Sequence, residues 1–447
     1  GELTYLISEN ESGAERTGII TIEDKDVVIT QKSNLSPATT PNIRIEPTTL
    51  NFDNAQDIRS RLRNARDSEI EIHKISSNQE LFVETDIPID ENPADPTISR
   101  LRNVEINLDA LSQLNTTFGI VYTDKVTLNL FPEVSYTVNN TSINYRGEND
   151  YTWIGKIEGM QFGDVILVVK DGKITGNVNT QGEVYRIRSS QNGLHSIQEM
   201  DAAAFPKNGP SPSISTSYTP LSEDEKQRSQ RRRIRATSDK PIIDVLVVYT
   251  PTAARTSTSN NVDIKSEIQL AIDETNQIYE NSNIKQMLRL VYTKQVDYQE
   301  IGDGDVDLNR LRDTKDGFLD EVHHLRNEYK ADLVSLWVEE DKSSYGGIGY
   351  LMNYNTSSIK FENIGFTVVK RRYATAPSYT FVHELGHNMA AHHDKYAKFE
   401  GKPNGCSTGM INCGYVHDTG NENTSWKTIM SYPTKCREKG YYCKTIP

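Results

Sequence analysis

The run His383-Glu384-Leu385-Gly386-His387 places two imidazoles four residues apart, with a carboxylate directly after the first. On a helix, positions i and i+4 share one face, so both rings can reach one metal ion. Zinc takes such nitrogens at about 2.0–2.1 Å. Glu384 then stands where it can take a proton from water at the metal, the role of a general base. The plain alternative is a chance pair of histidines on a soluble helix, since so short a motif does arise by chance. A third imidazole is offered by His392 or His393. A straight helix would not deliver His393. Ten residues past His383, it would point about 80° off the ligand face and lie about 15 Å further along the axis. The helix must therefore stop soon after His387 and the chain must turn back.

The string from His383 to Asp394, HELGHNMAAHHD, resembles the extended zinc signature of the metzincins and is closest to its adamalysin (reprolysin) form. The resemblance implies a helix that ends at the family's glycine and His393 as third ligand, with His392 solvated or packed behind. Ala390 stands where the family has Gly. Gly enters the left-handed region freely, whereas Ala there costs about 1–2 kcal/mol. Asp394 follows the third ligand and is expected either to accept a hydrogen bond that fixes the turn or to be solvated. Downstream, Thr428-Ile429-Met430-Ser431-Tyr432-Pro433 resembles the metzincin Met-turn, which implies Met430 as an apolar floor beneath the imidazoles. Tyr432 stands two residues after that Met, as in astacins and serralysins. It is a candidate for transition-state stabilisation, with a packing tyrosine as the alternative.

The resemblance extends over Pro241–Pro447 and implies a zinc-dependent endopeptidase with His383, His387 and His393 as ligands, Glu384 and Tyr432 as catalytic residues, and Zn2+ as cofactor. Ile348, Gly349 and Tyr350, within Gly346–Tyr350, correspond to the edge strand above the cleft that pairs with extended substrate, where Gly lets backbone approach closely. The opening of this half and its zinc string also resemble bacterial peptidyl-Asp metallopeptidases, which cleave before acidic residues. That preference needs a cation beside the scissile bond. Lys370, Arg371 and Arg372 are the candidates, against a solvated basic turn. Two other readings compete. One is a catalytically silent binding protein on a metzincin scaffold, favoured only by Ala390. The other is an enzyme with a downstream Glu ligand, disfavoured by His393 and Met430.

The elements that must position these residues follow from pattern. Ile243–Tyr249, Met287–Val296, Ala331–Val338 and Ile364–Lys370 read as strands. Val262–Tyr279 and Asp307–Tyr329 read as helices, the first with an apolar stripe. Ser378 is expected to cap the zinc helix and Asp307 to cap its own. Residues 1–205 read as strand-rich, with Asp171-Gly172 as a hairpin turn. Trp153 to Glu199 resembles the end of an adamalysin-type propeptide. Residues 206–240 are poor in apolar side chains and read as a linker. Its basic run, Arg231, Arg232, Arg233 and Arg235, is a candidate maturation site. The expected fold is multidomain: a β-rich prodomain, then an α/β (α+β) metzincin-type catalytic domain with a disulfide-bearing C-terminal subdomain. The divisions are 1–95 (N-terminal β-rich part of the propeptide), 96–205 (propeptide domain), 206–240 (cleavable linker) and 241–447 (protease domain).

Composition narrows the partners. The net charge of −13 over 447 residues argues against non-specific nucleic-acid binding. No apolar run is long enough to span a membrane. All four cysteines, Cys406, Cys413, Cys436 and Cys443, fall near the end. Two disulfides and an oxidising, secreted setting are expected, with three pairings open and a structural zinc site as the less favoured reading. With no Cys before Cys406, no propeptide thiolate can block the zinc. The prodomain is expected to inhibit by steric blocking or through another ligand, with Glu199 and Asp201 as the nearby carboxylates. Partners are thus protein or peptide substrates and the chain's own prodomain.

Overall fold

A computed structural model describes residues 16–22, 25–31, 43–46, 73–115, 119–147, 149–210, 241–339, 342, 344–352, 363–407, 410 and 412–446. Arg231, Arg232, Arg233 and Arg235 lie outside the described residues. The chain divides into two compact units, Gly1–Ile72 and His73–Pro447. In the first, Arg16–Ile22, Lys25–Gln31 and Ile43–Glu46 form an antiparallel sheet. The second begins at His73, where Lys74–Glu80 pairs parallel with Gly119–Phe131.

The fold is multi-sheet and β-rich with few helices. An eleven-stranded sheet occupies the N-terminal part of the second unit. Its hairpin at Asp171-Gly172 joins Asp164–Lys170 to Lys173–Asn179. Both turn residues take positive φ, 48° and 76°, as a two-residue loop between twisted strands requires.

The C-terminal part is a five-stranded sheet with helices. Its elements are β1 (Ile242–Tyr249), α1 (Pro251–Ser259), α2 (Ile264–Asn281), β2 (Met287–Gln295), α3 (Gly304–Arg312), α4 (Asp320–Tyr329), β3 (Leu333–Val338), β4 (Gly347–Gly349), β5 (Phe366–Lys370) and α5 (Thr380–Asn388). The strand order is β2-β1-β3-β5-β4. The pairs β1–β2, β1–β3 and β3–β5 are parallel, and β4 runs antiparallel along the edge. Helix α1 has no counterpart in the apolar pattern. Its signal is Thr250-Pro251: Pro at the first turn and the Thr250 hydroxyl accepting from Ala253 N at 3.1 Å. The single helix expected over Asp307–Tyr329 is two, broken by a polar stretch in which Gly317 takes φ 83°. Asp303, not Asp307, caps α3, accepting from Asp305 N and Val306 N at 3.1 and 3.2 Å. Asp307 is buried inside the helix and accepts from Tyr298 OH.

Helix α2 is buried on both sides. Ile268, Ala271 and Ile272 enter the core with Leu333, Trp337 and Leu385. Leu270 packs against Ile154, Ile166 and Val168 of the large sheet. The polar face meets that sheet through hydrogen bonds. Asp273 accepts from Thr152 Oγ1 at 2.6 Å and Asn144 Nδ2 at 2.9 Å, and Glu274 accepts from Asn177 Nδ2 at 3.0 Å. Two disulfides, Cys406–Cys413 and Cys436–Cys443, close short loops near the C-terminus. Among the described residues no helix is long and apolar enough to cross a membrane.

Leu270 is fully buried between the two sheets. Leu270→Ala is expected to cost about 2–5 kcal/mol, read as a lower urea midpoint of the full chain. A loss within 0.5 kcal/mol of zero would contradict that packing.

Candidate metal centre

Helix α5 carries the motif, and all nine of its residues are buried. Ser378 does not cap it. The Ser378 hydroxyl pairs with Thr380 Oγ1 at 2.9 Å, and the cap position is Tyr379 in left-handed geometry, φ 56°. The backbone makes the closure instead, with Tyr379 N donating to Thr375 O and Phe381 N to Ala374 O, each at 3.0 Å.

The helix ends at Asn388 and the chain reverses through Ala390, whose φ is 68°. Ala occupies the left-handed position that favours Gly. The turn is held by Ala390 N donating to His387 O at 3.0 Å and Ala391 N to Gly386 O at 2.9 Å. Asn412 Nδ2 donates to Ala390 O. His393 is thereby returned to the helix.

The Nε2 atoms of His383, His387 and His393 lie 3.0–3.1 Å from one another. Each Nδ1 faces a backbone carbonyl: Ile429 O at 2.9 Å, Ala391 O at 2.7 Å and Asn404 O at 2.9 Å. A carbonyl only accepts, so each Nδ1 carries the proton and each neutral ring presents its Nε2 lone pair inward. Three lone pairs that close repel one another unless a cation sits among them. Burial pushes all three rings below the ordinary histidine range, His393 to about 4, with the neighbouring rings adding to the effect on His383 and His387. The donor set, three neutral imidazoles each fixed through its far nitrogen, fits zinc with one position open. Among the described residues these three are the group of His, Cys, Asp or Glu able to hold one ion. His392 is not in that group, and its backbone pairs with Cys413.

Glu384 is fully buried beside this group, and neither carboxylate oxygen has a hydrogen-bond partner among the described residues. Burial pushes its carboxyl well above the usual range. A cation among the rings would draw it back down. The acid lies beneath β4: a Cβ on Gly347 would stand 3.1 Å from Glu384 Cγ, and one on Gly349 2.9 Å from Glu384 O. Met430 sulfur packs against Gly386, where a Cβ would stand 2.7 Å away. Tyr432 is buried, its ring centroid 4.3 Å from that of His393. Asp394 accepts from Tyr432 N and Tyr396 N, both at 2.8 Å, so it ties the third ring's segment to the Met430 turn.

The strand β4, carrying Ile348 and Gly349, lies at the sheet edge, with Tyr350 following and its hydroxyl 2.8 Å from Asn309 Oδ1. Asn388, which sequence reasoning passed over, donates to Tyr350 O at 2.8 Å and Ile364 O at 3.0 Å. It locks the zinc helix to that edge. The edge's open side is taken by residues 207–209. Gly346 N donates to Lys207 O at 2.9 Å and Gly209 N to Gly347 O at 2.8 Å. Thr380 Oγ1 donates to Asn208 Oδ1 at 2.8 Å, and the Tyr432 hydroxyl meets the carbonyls of Asn208 and Gly209, each at 2.6 Å.

Two carboxylates expected near the metal lie elsewhere. Glu199 pairs with Arg100 at 2.7 Å, and Asp201 caps a short turn through Ala203 N at 2.9 Å. Arg371 is neither solvated nor aimed at a substrate: it is buried between Glu267, at 2.8 Å, and Glu339, at 2.7 Å. Lys370 and Arg372 line a separate cavity with Glu300 and Glu339.

Residues 239–442 match the sequence profile of Metallo-peptidase family M12 in its reprolysin form. Curated relatives include the Peptidyl-Asp metalloendopeptidases of Xanthomonas campestris pv. campestris, 31% identical over 62% of this chain and 61% of that protein, and of Stenotrophomonas maltophilia, 32% identical over 60% of each. The chain thus spans about three fifths of the length of these relatives. Among solved structures, metalloproteinase-II from Bacteroides fragilis aligns at TM-score 0.35 and 11% identity, covering 61% of this chain and 83% of that one, a likeness too slight to bear on the fold.

In the metal-free chain the neutral triad binds fewer protons than the unfolded state between pH 6.5 and the depressed folded values, about 4 for His393. Stability from these rings is present above pH 6.5 and is lost as pH falls through that window. Melting of chelator-stripped protein is expected to drop between pH 7 and 4.5, and added zinc to raise the midpoint far more at pH 7 than at 4.5. Equal zinc shifts at both would contradict the triad.

Proposed function

We propose that the metzincin-like metallopeptidase domain of residues 239–442 is a zinc-dependent endopeptidase, kept latent by the N-terminal half until the 206–240 linker is cut near Arg231–Arg235. The observation that carries the enzymatic reading is the pairing of three inward-facing imidazole lone pairs with a buried, unpartnered Glu384. We propose His383, His387 and His393 as the zinc ligands. Zinc there would polarise a scissile carbonyl and lower the pKa of water toward about 7. Glu384 takes the proton from the attacking water and passes it to the leaving amine. The backbone of β4 holds an extended substrate as an added strand. Tyr432, once its hydroxyl is released from the Asn208 and Gly209 carbonyls, donates to the developing oxyanion. Met430 fills the space under Gly386 and fixes the floor.

The latent reading rests on residues 207–209. They use the same edge donors and acceptors that a substrate needs, and they engage Tyr432. The polar part of the α2 interface is compatible with it: hydrogen bonds to Asp273 and Glu274 can be exchanged for water at small net cost, so parting the halves costs chiefly the Leu270 contact. The disulfides suit an oxidising, secreted setting. The relatives' name leads us to propose a preference for aspartate beside the scissile bond. The silent-protein reading has no observation in its favour, since Ala390 makes the turn that delivers His393.

Full-length chain incubated with limited trypsin should cleave peptides. Chelation should abolish this, and Glu384→Gln should lower kcat by about 100-fold or more. Gly209→Val should raise activity of the uncut chain, because a Cβ there would collide with Gly347 O. Uncut wild type already as active as the cut form would sink the latency reading alone. Glu384→Gln retaining full activity would sink the mechanism.

A further inference from the structure

Beside Tyr432 lies a small cavity whose lining includes Phe205, Asn208, Lys427, Pro433, Arg437 and Thr445. It adjoins the metal centre. Tyr432, part of its lining, packs its ring 4.3 Å from that of His393, and the positive charge of Lys427 is felt at His383. Lys427 sits on the two-residue strand Trp426–Lys427, held between Val416–His417 and Lys444–Thr445. It is 7% exposed. Among the described residues its ammonium makes no ion pair or hydrogen bond. Burial pushes it down to about 8, so it remains mainly charged at neutral pH.

The anion it faces within the fold is Asp394, but both oxygens of that carboxylate are used by the N–H groups of Tyr396 and Tyr432. Arg437, exposed on the same rim, gives a hydrogen bond to Ala203 O at 3.2 Å and pairs with no carboxylate among the described residues. Lys207 adds a third cation, its ammonium pulled down by burial and by Arg437. Asp201 is felt at Tyr442, with Oδ1 accepting from Ala203 N. A buried ammonium whose nearest carboxylate already accepts two N–H bonds is only partly compensated. Two cations converging on a cavity next to the reacting centre are the arrangement that a carboxylate ligand satisfies. The N-terminal half contributes Phe205, Pro206, Lys207 and Asn208 to the lining and no carboxylate.

We propose that Lys427 and Arg437 form the subsite that reads an acidic substrate side chain beside the scissile bond, and that Phe205–Asn208 covers this subsite in the latent chain. The proposal rests on the endopeptidase reading above and deepens it. It also accounts for the position of Lys427, a costly residue to bury, on a two-residue strand between the two disulfide loops. When the N-terminal half departs, Arg437 loses its bond to Ala203 O and gains room to turn inward.

The test uses full-length chain opened with limited trypsin and paired quenched peptides that differ only in Asp or Asn after the scissile bond. Wild type is expected to favour the Asp peptide by about tenfold or more in kcat/KM. Lys427→Met and Arg437→Gln should each bring the Asp/Asn ratio toward one while hydrolysis of the Asn peptide persists. Lys427→Arg should keep the preference. Arg437 is exposed, so its variant tests the idea even if Lys427→Met fails to fold. An Asp/Asn ratio unchanged in Arg437→Gln and in a folded Lys427→Met overturns the proposal. Equal cleavage of both peptides by wild type overturns it too and leaves the endopeptidase reading standing. No cleavage of any peptide by opened wild type defeats that reading itself.

Discussion

Three hydrogen bonds from imidazole Nδ1 atoms to backbone carbonyls fix everything else at this site. Ile429, Ala391 and Asn404 each supply one carbonyl. Each bond sets one ring's tautomer and aims its lone pair at the same point. The three carbonyls come from separate segments: the turn before Met430, the reversal after α5, and the loop preceding Cys406. The site is therefore not a property of one helix. It exists only when the C-terminal segment is folded back against α5, which gives Asp394 its importance. By accepting from Tyr432 N and Tyr396 N, it clamps two of those segments together.

The same constraint explains the packing above the rings. Glu384 must approach the metal position from beneath the edge strand, and only glycine at 347 and 349 leaves room for it. Asn388 then holds that strand at fixed height through two carbonyls. An edge strand with open hydrogen-bonding groups is a template for any extended chain. In this chain the occupant is residues 207–209. The N-terminal half thus meets the C-terminal part through an apolar contact at Leu270 surrounded by polar bonds on α2, a short backbone ladder at the β4 edge, and buried Arg186 donating to Ala376 O at 2.7 Å.

Much of this was legible in sequence, and what was not has identifiable causes. His383, Glu384 and His387 follow from helical spacing alone. The need for a reversal before His393 follows from helix geometry, whereas the conformation of the turn, left open by Ala in place of the family's Gly, is given by the structure. The strands β1, β2, β3 and β5 were visible as apolar runs. The break in the Asp307–Tyr329 stretch was not, because the apolar period survives across a polar loop. The burial of Glu267, Asp273 and Glu274 on α2 was hidden for a related reason, since a polar face that meets a polar sheet reads as a solvent face. Arg371 looked like part of a surface run, and its two carboxylate partners come from α2 and the end of β3, far apart in the chain. The docking of Lys207-Asn208-Gly209 carries no apolar or charge signal at all, because it is made by backbone groups. The carboxylates of Glu199 and Asp201 drew attention by type, whereas the contact uses carbonyls and an amide.

The most direct test of the account is X-ray absorption at the zinc edge on the uncut 447-residue chain, beside His393→Ala and His392→Ala. The account predicts one zinc per chain with three imidazole nitrogens at about 2.0–2.1 Å, a first shell reduced by one nitrogen in His393→Ala and unchanged in His392→Ala. Zinc absent from the wild-type chain under saturating conditions, or a shell that loses its nitrogen in His392→Ala instead, would contradict it.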